Sequence, residues 1–115
     1  MTLTTPTLDE LNLLHASICQ AIGDPKRILI LYTLHEQPLY VSALADTLNL
    51  PQPTVSRHLR VLRQHGLVST TRQANTVVYQ LALPQIITIL DQMRHLLRAS
   101  FHQQTDILAP PTDDL

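Results

Sequence analysis

The stretch Gln52-Pro-Thr-Val-Ser-Arg-His-Leu-Arg-Val-Leu-Arg-Gln-His-Gly-Leu-Val68 decides how the rest of the chain is read. Val55, Leu59 and Leu62 recur at the four- and three-residue steps of one helical stripe, and Gly66 stands where a helix needs a left-handed stop. At about 3.6 residues per turn, Pro53, Thr54, Arg57, Arg60 and Gln64 fall on the opposite side, with Gln52, Ser56 and Arg63 on one flank. An ordinary solvated helix face mixes glutamate and lysine at i,i+4. This one carries arginine and small hydrogen-bonding residues, and no acid. Arginine can bond a guanine edge bidentately, while Gln, Thr and Ser can reach base edges or phosphate oxygens. The spacing predicts a helix from about Gln52 to His65 whose outward side suits a DNA major groove.

Working outward, Asn49-Leu-Pro51 reads as a tight turn, because Asn tolerates left-handed geometry and proline cannot continue a preceding helix. Before it lies a short helix from Val41 to Leu48. After the quoted stretch come the β-branched runs of residues 67–71 and 76–81, separated by Arg72-Gln-Ala-Asn75, which is a hairpin signal. Two short helices, a turn and a hairpin form the layout of a winged helix-turn-helix. Upstream, Thr7-Leu-Asp-Glu10 is a capping box that opens a helix with Leu11, Leu14, Ile18 and Ile22 on one stripe, and Gly23 can close it. Asp24-Pro25 starts a second helix, reaching about Gln37 and apolar on nearly every side (Ile28, Leu29, Ile30, Leu31, Leu34), hence predicted as the central buried helix. Pro84 starts a last helix that reaches Gln103 or Ile107. The expected architecture is mainly α with a β-hairpin wing, about five helices and two strands. A folded domain over residues 7–107 is expected between disordered ends at 1–6 and 108–115.

The chain has 115 residues, 44% of them hydrophobic, which suits one globular domain. Its formal net charge of −1 argues, taken alone, against a nucleic-acid partner. The distribution reverses that argument. No acid lies between Thr47 and Leu90, a stretch that holds Arg57, Arg60, Arg63 and Arg72, whereas the remainder sets nine acids against Lys26, Arg27, Arg94 and Arg98. The longest apolar run is the five residues from Ile28 to Tyr32, so no membrane span is expected. No secretory signal is legible at the start. One cysteine, Cys19, excludes an intramolecular disulfide and suits a reducing, cytoplasmic setting. Both glycines fall at helix ends, which leaves no phosphate-cradling loop, and no nucleophile–histidine–acid set stands in recognisable context. An enzyme is not expected.

Asp24-Pro25-Lys-Arg27-Ile, Val41-Ser-Ala-Leu-Ala45 and above all the Gln52–Val68 stretch resemble the ArsR/SmtB family of bacterial winged-helix repressors, over residues 10–100. The resemblance implies a homodimer joined by the first and last helices. It also implies binding to an imperfect inverted repeat in an operator, with release when an inducer, usually a metal ion, binds. Gln52, Thr54, Ser56, Arg57 and His58 occupy the family's base- and phosphate-contact positions, and Arg72 to Asn75 the wing tip. With Pro53, Arg60, Arg63 and Arg72 they make up the candidate DNA-binding set. Two departures stand out. Pro51 sits where many members have a capping Ser or Thr, so either Gln52 compensates or the helix end frays. The wing lacks the usual glycine and carries one basic residue.

The family's two best-known inducer sites are both missing from the matching positions. Leu39-Tyr-Val-Ser-Ala-Leu44 has tyrosine and alanine where thiophilic sensors have cysteine and aspartate, and the zinc positions correspond to Leu83, Gln85, Leu96 and Ala99. Other donors stand at chelating intervals. On the last helix Asp91/His95 and His102/Asp106 are i,i+4 pairs of a kind that suits zinc or nickel. They equally describe a solvated face opposite Ile86, Ile89, Leu90, Met93 and Leu97, and Arg98 in their midst would repel a cation. His15 and Cys19, also i,i+4, could join last-helix ligands across a dimer or merely flank a packed seam. Cys19 as a redox switch needs a low thiol pKa, and no basic residue is near it in sequence. The rival to a DNA-binding regulator is a winged-helix module for protein interaction.

Overall fold

The computed structural model describes residues 4–104. Helix α1 (Leu8–Leu14) continues into a π-helical turn, His15–Cys19, and is followed by α2 (Pro25–Glu36), strand β1 (Leu39–Tyr40) and α3 (Val41–Leu48). Then come α4 (Gln52–Gln64), β2 (Val68–Gln73), β3 (Thr76–Leu81) and α5 (Gln85–Gln104). The chain divides after Leu83 into two compact units, the second beginning at Pro84 and carrying α5. This is a winged helix-turn-helix, with α3 and α4 as the two helices and β2–β3 as the wing.

Local chemistry sets most boundaries. Thr7 caps α1, its Oγ1 accepting from the Glu10 N–H at 3.2 Å. Asp24 caps α2 in the same way, accepting from the Lys26 N–H at 2.8 Å, with Pro25 pre-set in the first helical position. Gly66, at φ +78°, ends α4: its N–H donates to the Arg63 carbonyl and that of Leu67 to the Leu62 carbonyl, the paired bonds of a Schellman stop.

The sheet has three antiparallel strands in the order β1-β3-β2, not the two expected. Leu39 and Tyr40 pair with Tyr79 and Val78, a two-residue strand too short to show any periodicity in sequence. In the first unit the core is Ala21, Ile30, Leu31 and Leu34, then Leu44, Ala45, Val55, Leu59 and Leu62, closed by Leu67, Val68 and Val78 of the hairpin. Helix α2 is central but not buried all round, since Leu29 remains 48% exposed. The stripe predicted for the first helix is not buried either. Leu11 and Leu14 are exposed, no residue of α1 is buried, and Ala21 is the position that enters the core. A π turn adds a residue to one helical turn, so a stripe drawn at a constant 3.6-residue period does not run through it. On α5, Ile86, Ile87 and Leu90 are buried, whereas Ile89, Met93, Leu96 and Leu97 are exposed. Among the described residues no helix is long and apolar enough to cross a membrane.

Candidate nucleic-acid interface

The turn that aims α4 is built on Asn49. Its φ of 55° and ψ of 46° place it in the left-handed region, and it lets the N–H groups of Asn49 and Leu50 donate back to the carbonyls of Asp46 and Ala45. Pro51 then takes the cap position of α4 without any side-chain bond. The helix start is nevertheless well satisfied. The Pro51 carbonyl accepts from the N–H groups of Thr54 (3.0 Å) and Val55 (3.1 Å), and Pro53 has no N–H to satisfy. A Ser or Thr cap would serve the N–H groups of residues 53 and 54; Pro53 has none, and that of Thr54 already bonds the Pro51 carbonyl. Neither compensation by Gln52 nor fraying is required.

The outward face of α4 is as the sequence placed it, with one exception. Gln52, Pro53, Ser56, Arg57, Arg60 and Arg63 are exposed, Thr54 is half-buried, and Val55, Leu59 and Leu62 are buried. Among the described residues no carboxylate lies within ion-pair distance of Arg57, Arg60, Arg63 or Arg72. The exception is His58. It is 7% exposed and lies on the core side of the helix, so its side chain is not displayed for contact as expected. The signal was its position, three residues after Val55 and four before Leu62, which puts it on the apolar stripe.

What His58 meets is Arg27, of the Asp24-Pro25-Lys-Arg27 motif. Arg27 Nη1 lies 3.3 Å from His58 Nδ1, while its Nε donates to the Ala21 carbonyl (2.6 Å) and its Nη2 to the Gln20 carbonyl (3.0 Å). Guanidinium has donors only, so Nδ1 is the acceptor and the ring proton sits on Nε2. Burial lowers the His58 pKa; Asp24 opposes this, and the charges of Arg27, Arg57 and Lys26 add to it. The Asp24 carboxyl is itself held below its usual range, first by the Lys26 N–H.

The wing is a tighter hairpin than expected. Arg72 and Gln73 belong to β2, Gln73 pairs with Thr76, and only Ala74 and Asn75 form the loop. Ala74 lies at φ 54°, a left-handed position more often given to glycine. Gln80 Nε2 donates across the strands to Ser69 Oγ (3.1 Å) and Thr71 Oγ1 (2.9 Å), which ties the register. Arg72 is exposed.

Residues 24–70 match the pattern of the bacterial regulatory proteins of the arsR family. Over 77 residues the chain is 40% identical to the HTH-type transcriptional regulator NmtR of Mycobacterium tuberculosis, covering 67% of this chain and 64% of the relative. The chain thus spans less than two-thirds of that relative. It is 34% identical over 82 residues to an HTH-type transcriptional regulator of Methanocaldococcus jannaschii, covering 68% of this chain and 92% of the relative. The chain belongs to the arsR family. Its fold agrees with that of NolR from Sinorhizobium fredii, at TM-score 0.70 and 34% identity over 84% of this chain and 96% of that one.

The candidate inducer ligands that lie among the described residues of this arsR-family chain stand apart. Among the described residues no three His, Cys, Asp or Glu side chains come together in a way that could hold a metal ion. Asp91 Oδ1 instead accepts from Arg94 Nη1 at 3.3 Å, one turn along α5. His95 and His102 are exposed, and Asp106 lies outside the described residues. His15 and Cys19 are both exposed on the π turn, and the Cys19 thiol is free. Among the described residues the donors of one chain are thus not gathered into a closed site.

Proposed function

We propose that the chain is a sequence-specific double-stranded DNA-binding transcriptional regulator, acting in the cytoplasm as a homodimeric repressor on an inverted-repeat operator. The observation that carries this reading is the outward face of α4. Exposed Gln52, Pro53, Ser56, Arg57, Arg60 and Arg63, with Thr54 beside them, combine base-reading and phosphate-reading groups with no acid. Arg72 adds a single cation on the wing. Each α4 docks in one major groove, and two half-sites lie about one helical turn apart. The first and last helices are the proposed dimer contacts, supported by the exposed leucines of α1 and the exposed Ile89, Met93, Leu96 and Leu97 of α5.

Fluorescence anisotropy with duplex DNA from the chain's own promoter tests the reading. About six phosphate contacts would make affinity fall roughly a thousandfold between about 50 and 200 mM salt. Arg57→Ala should weaken the specific complex by about 1–3 kcal/mol, because a bidentate base contact is of that size. Salt-independent binding, or none, would favour a protein-interaction module instead. Zinc, nickel or an oxidant acting through Cys19 belongs to this reading as an effector, with His15, Cys19, Asp91, His95, His102 and Asp106 as the proposed donors. Metal analysis of protein purified without chelator decides it, and less than one ion per dimer would remove the metal from the scheme.

A further inference from the structure

Arg27 and His58 are joined by an interaction that packing alone does not require. Arginine is rarely drawn inward unless each donor is met. Here Nε and Nη2 are satisfied by the carbonyls of Ala21 and Gln20, which end the first helical segment, and Nη1 faces the imidazole that α4 turns inward. A cation at a helix C-terminus is favoured by the helix dipole, so that end of the contact is anchored. At the other end, His58 follows directly on Arg57 and sits between Val55 and Leu62 on the buried stripe. The guanidinium is planar and rigid, with a forked set of donors, and transmits a displacement that a lysine on its flexible stem would absorb.

We propose that Arg27 and His58 are positioning residues for DNA recognition: they form a strut that ties the end of the first helical segment to the inward side of α4 and so fixes the angle at which the Arg57 and Arg60 face is presented. Neither is called upon to touch DNA. Because the first helix is a proposed dimer contact, the strut also links the spacing of two protomers to the setting of each reading helix. The proposal rests on the DNA-binding reading above, and its test separates the two.

The strut itself is read in the free protein, by the imidazole nitrogen-15 shifts of His58. In the unaltered chain they should show one tautomer with the proton on Nε2, and in Arg27→Ala a mixture of tautomers. Identical spectra would overturn the strut, whatever the DNA result. Its consequence is read as operator affinity over affinity for a scrambled duplex, in Arg27→Ala, His58→Ala and the double variant, with thermal melting as the control for folding. Each single variant should lose about tenfold in that ratio, and the double variant should lose no more than either, as expected of two groups acting as one unit. His58→Gln, whose amide oxygen can accept from Arg27, should recover most of the loss. Losses that multiply, a loss that follows the fraction unfolded, or failure of His58→Gln where His58→Ala also fails would overturn the positioning role. If the unaltered chain binds no duplex at any salt, the DNA reading falls, and the positioning role with it, while the nitrogen-15 spectra still decide the strut.

Discussion

His58 shows how one side chain can be assigned by type or by place, with opposite results. By type, a histidine among arginines in a reading helix suggests phosphate contact; by place, three residues after Val55, it belongs to the core side, where it is found at 7% exposure. Its titration follows. The imidazole is stabilised neutral in the fold because burial and the neighbouring Arg27, Arg57 and Lys26 outweigh the attraction of Asp24, so the folded pKa lies below the unfolded value of 6.5. Above 6.5 both states are neutral and nothing is lost. As pH falls through 6.5 toward the lower folded value, the unfolded chain takes up the proton first, and stability declines. Denaturant midpoints measured from pH 8 to 5 should fall for the unaltered chain, and the difference between it and His58→Gln should shrink over that window. A difference that stays constant with pH would show that His58 does not titrate differently in the two states.

At the scale of elements, the sequence was most informative where a boundary has a chemical cause. The end of α3 and the start of α4 were read directly, because Asn49 and Pro51 each force the backbone at a known place. Gly66 and the Asp24-Pro25 pair did the same for α4 and α2. The wing was less legible. Arg72-Gln-Ala-Asn75 contains no glycine, so nothing marked the two-residue turn, and strand β2 runs two residues further than the β-branched pattern. Nor could β1 be seen, since two residues pair only because β3 is already in position. The π turn at His15–Cys19 leaves no composition signal either. These contrasts make Asn49 a sharp test. Asn49→Ala should destabilise the domain by about 1 kcal/mol, because a left-handed alanine costs about 1–2 kcal/mol and Asn tolerates the region better. Asn49→Gly should be nearly neutral, its ease at positive φ offset by greater freedom in the unfolded chain. Equal losses in urea unfolding for both variants would mean that the Asn49 side chain, not its backbone angle, matters.

At the scale of the molecule, charge and hydropathy are both divided. The stretch from Thr47 to Leu90 has arginines and no acid, so a near-neutral total conceals a cationic segment. The exposed leucines are divided too. Leu8 and Leu13 of α1 are 72% and 68% exposed, and Leu96 of α5 is 71% exposed, while Val55, Leu59 and Leu62 of α4 are fully buried. Apolar side chains scattered singly on a surface need no explanation, but several on one helix are what the proposed dimer contact would cover. With so few excess cations per chain, a single reading head should hold DNA weakly, and two heads joined in one particle gain through effective concentration. The expected particle is a dimer, twice the 13.0 kDa chain, at micromolar concentration in sedimentation velocity. Met93→Glu combined with Leu97→Glu places two carboxylates among exposed apolar groups, so it should leave the chain folded but monomeric. Operator affinity should then fall at least about a hundredfold, the low end of what linking two modules supplies. A folded monomer that still binds the operator at full affinity would show that one reading head suffices, and a double variant that stays dimeric would place the contact away from α5.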